Sequence, residues 1–192
     1  FVKQIERFVC RVLPEKGTDE NLPRLKYISA GLLSTAELSL LEARKEIALM
    51  GQRCQRAFDL VVSMHGIEKD DDFNAIFKKV EKYEGITDNM EYEIAHYLQQ
   101  VADGHLSDEA KRQIQRMLRE VDDLESVGDC CYNLARTLSR KRTKCKEHFT
   151  QEQMIHISEM EQLVKLSLMQ MIETLEMPEG EGHDISKSYE TE

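Results

Sequence analysis

Residues 36–64 place an apolar side chain at alternating steps of four and three without a break: Ala36, Leu40, Ala43, Ile47, Met50, Cys54, Ala57, Val61 and Met64. A strand alternates its faces every two residues, so this rhythm fits only one buried face of a long α-helix. The same rhythm returns twice. It runs through Ile76, Val80, Tyr83, Thr87, Met90, Ile94, Tyr97 and Val101, and then through Ile114, Met117, Val121, Leu124, Gly128, Cys131, Ala135 and Leu138. A fourth stripe reads Ile157, Met160, Val164, Leu168, Met171 and Leu175. Three or four long helices with such seams have to bury them against one another.

The punctuation between the stripes gives boundaries. Ser34 or Thr35 is a cap for a helix over about 34–64, with Glu37 in its first turn and Gly66 as its stop. Asp70, Asp71 and Asp72 supply a cap for a second helix over about 71–102 and suit its positive end, and Gly104 closes it. Ser107 starts a third over about 107–141, whose last turns are basic through Arg136, Arg140, Lys141, Arg142 and Lys144. Thr150 and Gln153 form a capping box for a fourth over about 150–176, followed by Pro178. The links near 65–70 and 103–107 are short, so consecutive helices run antiparallel. The predicted fold is all-α, an up-down antiparallel long-helix bundle. It divides into a lead segment (1–33), a three-helix bundle (34–145), a fourth helix (150–176) and a polar tail (177–192).

A formal net charge of −10 repels polyanions, so general binding of nucleic acid is not expected. The five cysteines are odd in number and match no zinc spacing, and they read as reduced thiols. Cys54 and Cys131 lie on apolar stripes and are expected to be buried. No apolar run reaches 18 residues, so no spanning helix is predicted. Residues 1–14 are amphipathic, carry Lys3, Arg7 and Arg11, and stop at Pro14. They suit a short helix packed on the bundle, or one resting at a membrane surface. The chain opens at Phe1 without Met and reads as a piece of something longer.

The chemistry of the chain lies one residue after the stripes. Asp122, Glu125 and Asp129 sit at i, i+3 and i+7, a row about 10 Å long at the edge of a seam. The preceding helix carries the mirror row Glu84, Asp88 and Glu91, with Glu81 before it. Antiparallel pairing sets Glu84 near Asp129 and Glu91 near Asp122, so up to six carboxylates converge. Like charges at such spacings repel by a few tenths of a kcal/mol per pair. The row therefore calls for a cation or for protons. An all-oxygen set suits Mg, Ca or Mn, with Fe as a further candidate. The competing reading is a solvated acidic face balanced by bases such as Lys82, Arg116 and Arg119. Gly128 costs the helix about 1 kcal/mol relative to Ala, and it permits close backbone approach beside Asp129.

Residues 124–129, Leu-Glu-Ser-Val-Gly-Asp, with Asp122 before them and Tyr132, Asn133, Leu134 and Ala135 after them, resemble the signature of the PhoU family. The run from Glu84 to Glu91, followed by Ile94, Tyr97 and Leu98, resembles the family's preceding helix. Ser126 departs from the Arg often found there. The resemblance covers about residues 35–140. It implies tandem three-helix bundles with Glu/Asp-x-x-x-Asp metal motifs, carried here by Glu84, Asp88, Glu91, Asp122, Glu125 and Asp129. The fourth helix then resembles the start of a second, incomplete bundle. The lead over residues 22–37 is similar to the segment joining the membrane portion of bacterial sodium/phosphate cotransporters to a PhoU-like tail.

The function this implies is a non-enzymatic regulatory or accessory domain in phosphate transport, at the cytoplasmic face of the inner membrane. Its partners would be the transporter portion of the same polypeptide and, as a homo-oligomer, further copies of itself. One alternative is a helical interaction scaffold without metal. A second is a di-iron carboxylate enzyme, for which Glu93 and His96 supply a single Glu-x-x-His unit where two are needed. Neither G-x-G-x-x-G nor a P-loop is present, so direct phosphate binding has no motif.

Overall fold

The computed structural model describes residues 25–28, 35–145 and 149–177. The amphipathic stretch 1–14, Cys10 and the polar tail after residue 177 lie outside them. Four helices follow in order: α1 (Ala36–Ser63), α2 (Asp70–Ala102), α3 (Asp108–Lys144) and α4 (Gln151–Glu176). A single 3₁₀ turn, Met64–Gly66, finishes α1 at the predicted glycine. The described residues contain no strand, and the bundle is all-α as expected.

The caps are partly those read from the sequence. Ser107 accepts a hydrogen bond from the Ala110 amide at the head of α3. Thr150 and Gln153 form the reciprocal capping box of α4. Thr35 stands at the N-cap of α1 without a side-chain bond. The N-cap of α2 is Lys69, and Asp70, Asp71 and Asp72 occupy the first turn instead. There their charge still favours the helix through the macrodipole.

The antiparallel trio α1, α2 and α3 packs mutually, and the stripes meet in its centre. Ile47, Met50, Cys54, Ile94 and Met117 are essentially inaccessible. Cys54 donates its thiol proton to the Leu124 carbonyl at 3.2 Å, tying α1 to α3. Phe73, Ile86 and Leu98 are buried beside the predicted α2 stripe, which widens the apolar face beyond a strict heptad seam.

α1 is the shared helix. It touches α2 and α3 on one side and α4 on the other, so it is buried on more faces than its stripe alone requires. Gly51 makes the second contact close: a Cβ there would stand 3.3 Å from Leu175 and 3.4 Å from Ile172. The predicted α4 stripe holds only toward its C-terminal end. Leu168, Ile172 and Leu175 are buried, whereas Met160 and Val164 are exposed. The physical reason is that, among the described helices, α4 packs closely only along α1.

Arg142 closes the far end. Its guanidinium donates to Asp70 Oδ1 at 2.7 Å, to the Ile67 carbonyl at 2.6 Å and to the Glu68 carbonyl. It also lies over the Phe73 ring, 4.8 Å from the centroid. The basic last turn of α3 thus holds the α1–α2 connection through one forked side chain.

A candidate carboxylate centre on the α2–α3 seam

The seam is set by a glycine. Gly128 is buried on α3, and a Cβ built there would stand 2.7 Å from Thr87 Oγ1 on α2. Thr87 is itself buried, and its hydroxyl donates to the carbonyls of Tyr83 at 3.2 Å and Glu84 at 2.9 Å. The two backbones approach closely at this point. Asp88 follows Thr87 and Asp129 follows Gly128, so the close approach carries both carboxylates to the same edge.

Glu84, Asp88 and Asp129 converge there, with one carboxylate oxygen from each lying within 4.8 Å of the others. Asp88 is exposed, while Glu84 and Asp129 are half-buried, so the group opens to solvent. The other three predicted acids belong to the same electrostatic patch. Burial first, then Asp122, Asp88 and Asp129, push the Glu91 carboxyl above its usual range. Glu125 is raised by burial first, then by Asp129, Glu91, Asp88 and Asp122. Glu84 is raised by burial, then by Asp88, Asp129, Glu81 and Glu125, and Asp88 by burial and Asp129. The charged neighbours acting on these four groups are all carboxylates. Arg116 pairs with Glu109, toward the start of α3.

The structure therefore gathers Glu84, Asp88 and Asp129 tightly and ranges Glu91, Glu125 and Asp122 along the seam beside them. Three convergent oxygen donors in a negative field fit the donor chemistry of a hard divalent cation. Thr87 escaped the sequence reading as part of the site. Its place on the apolar stripe opposite Gly128 was the available signal.

Residues 47–138 match the PhoU domain. The match takes in all six acids, Thr87 and Gly128, and most of α1, α2 and α3. It leaves out residues 25–28 and the whole of α4. Comparison with curated proteins and with solved structures found no match. No described helix is long and apolar enough to cross a membrane.

The di-iron arrangement finds no support in the placement of its one candidate pair. His96 is exposed and stacks on Tyr92 at 6.2 Å, and Glu93 accepts a hydrogen bond from Asn89 at 3.1 Å. Both stand apart from the carboxylate triad.

Proposed function

We propose that this chain is a non-catalytic regulatory domain of phosphate transport whose α2–α3 seam binds a hard metal cation. The observation that carries the reading is the convergence of Glu84, Asp88 and Asp129 within 4.8 Å, inside the PhoU-matching residues. Glu91, Glu125 and Asp122 extend the negative field and serve as further oxygen donors. The cation would relieve carboxylate repulsion and lock α2 to α3, so that occupancy is read out as bundle rigidity. The similarity of residues 22–37 to the segment preceding a PhoU-like tail supports a place on the cytoplasmic side of a sodium-dependent phosphate cotransporter.

The deciding experiment is elemental analysis of the purified chain, with titration by Mn, Mg, Ca and Fe(II). The expected result is stoichiometric cation in the native chain, lost in the Glu84→Gln, Asp129→Asn double variant. No cation in either protein, with melting unchanged by any of the four metals, would leave an acidic helical scaffold. For the transporter context, the full-length polypeptide should fractionate with membranes, and its phosphate uptake should change in the double variant.

A further inference from the structure

Two surfaces left uncovered among the described residues fit each other. The first is the outer side of α4. Leu168, Ile172 and Leu175 are buried on the side toward α1. With about 100° between successive residues, the opposite side carries Glu152, Ile155, Glu159, Leu163, Leu166 and Glu173. All six are exposed, Leu163 to 66 %. A helix with apolar side chains on two sides is built to be covered on both. Here glutamates interleave the apolar residues, so the outer side is acidic as well as apolar.

The second surface is a groove between α1 and α2. Leu49, Leu60, Tyr83 and Ile86 give it an apolar lining, and Arg53, Arg56, Lys79 and Lys82 give it charge. Among the described residues none of these four cations is hydrogen-bonded or ion-paired, although Arg53 feels the buried Glu46 carboxylate. The one acid lining the groove, Asp59, is held by Lys165 of α4 at 2.8 Å. In a chain of net charge −10, four such cations over an apolar floor select an acidic partner. An amphipathic helix with acids among its apolar residues is the occupant that fits.

The Lys165–Asp59 bond decides whose helix that is. At this bond α4 borders the groove, so the acidic stripe and the basic groove are neighbours on one copy. The stripe faces away from α1. α4 cannot turn it into its own groove while Ile172 and Leu175 stay packed against Gly51 of α1. A second copy offers the same two surfaces in reversed order. One two-fold axis then satisfies both contacts and closes the pair.

We propose that two copies of the chain pair reciprocally, each laying the outer stripe of α4 in the α1–α2 groove of the other. The groove lies on the side of α2 away from Glu84, Asp88 and Glu91, about half a turn round the helix, so this inference does not rest on the carboxylate centre.

The test is light scattering on the full chain and two charge-reversed variants. One reverses the groove through the exposed Arg56→Glu, Lys79→Glu and Lys82→Glu. The other reverses the stripe through the exposed Glu152→Lys, Glu159→Lys and Glu173→Lys. The native chain should show twice the mass of one copy, and each variant alone the mass of one. Mixing the two variants should restore the doubled mass, because each reversed surface then meets its complement. That rescue also shows that both variants fold. A monomeric native chain would overturn the proposal, as would a dimer that neither reversal breaks. So would a mixture that stays monomeric, because stripe and groove would then not be each other's partners. A monomeric native chain captured by phosphatidylserine vesicles, and released by the groove reversal, would assign the groove to a lipid surface instead.

Discussion

Gly128 and Thr87 meet across the α2–α3 seam with no room for one more carbon: a Cβ at position 128 would stand 2.7 Å from Thr87 Oγ1. That hydroxyl is held by the Tyr83 and Glu84 carbonyls, and threonine has few rotamers to retreat into. Gly128→Ala gains about 1 kcal/mol of helix propensity, but overpacking costs about 1–3 kcal/mol. The expected net effect is destabilisation of up to about 2 kcal/mol. Thr87→Ala in the same chain removes the clashing oxygen and should restore part of the loss. Urea denaturation of the two single variants and the double variant measures the coupling. Additive effects would show that the contact does not govern the seam.

Stability should rise as pH falls from neutrality toward the ordinary carboxyl range. Glu84, Asp88, Glu91 and Glu125 are all pushed above their usual values, by burial first and by neighbouring carboxylates next. The folded chain thus binds these protons more readily than the unfolded one. Their stabilising contribution is fully present below the unfolded values, about pH 4, and is lost as pH rises through the raised folded values. In chelator, Glu84→Gln with Asp88→Asn should flatten this dependence and raise the midpoint at pH 7. A saturating hard cation should do the same for the native chain at neutral pH.

Arg142 should be difficult to replace, even by lysine. Its fork reaches Asp70 and the carbonyls of Ile67 and Glu68 at once. Asp70 is largely exposed, so most of the value lies in the carbonyl contacts and the Phe73 ring. Arg142→Ala is expected to cost about 1–2 kcal/mol, and Arg142→Lys to recover little of it. Hydrogen exchange should speed up at residues 67–73 before the centre of α1 responds.

Thiol reactivity should divide the described cysteines in two. Burial pushes Cys54 and Cys131 each up to about 12, while Cys130 and Cys145 are exposed. At pH 8 the thiolate fraction of the buried pair is on the order of 10⁻⁴. A disulfide reagent should label Cys130 and Cys145 promptly, and Cys54 and Cys131 only on unfolding. Rapid native-state labelling of Cys54 would contradict its contact with Leu124.

The helices were legible because helix formation and its boundaries are local. Steps of four and three name a buried face, and Thr150 with Gln153 closes a capping box within one turn of chain. The PhoU resemblance was local too, carried by the run Leu-Glu-Ser-Val-Gly-Asp at residues 124–129. Spacing along one helix gives no distance across a seam, however. That Glu84, Asp88 and Asp129 draw tightest among six acids was decided by how closely Gly128 lets α3 approach Thr87. Glu46 offers the same lesson in reverse. In the sequence it is one more glutamate of an amphipathic helix, and only residues 25–28, lying over α1 with the Tyr27 amide on its carboxylate, make it a buried acceptor of backbone amides. The α4 stripe was read as one face, yet Met160 and Val164 in it lie open, because burial belongs to the neighbours a helix finds and not to its own periodicity. Sequence determined the helices and the two acidic rows. Tertiary packing decided which acids meet, which glutamate is enclosed and which apolar face remains uncovered.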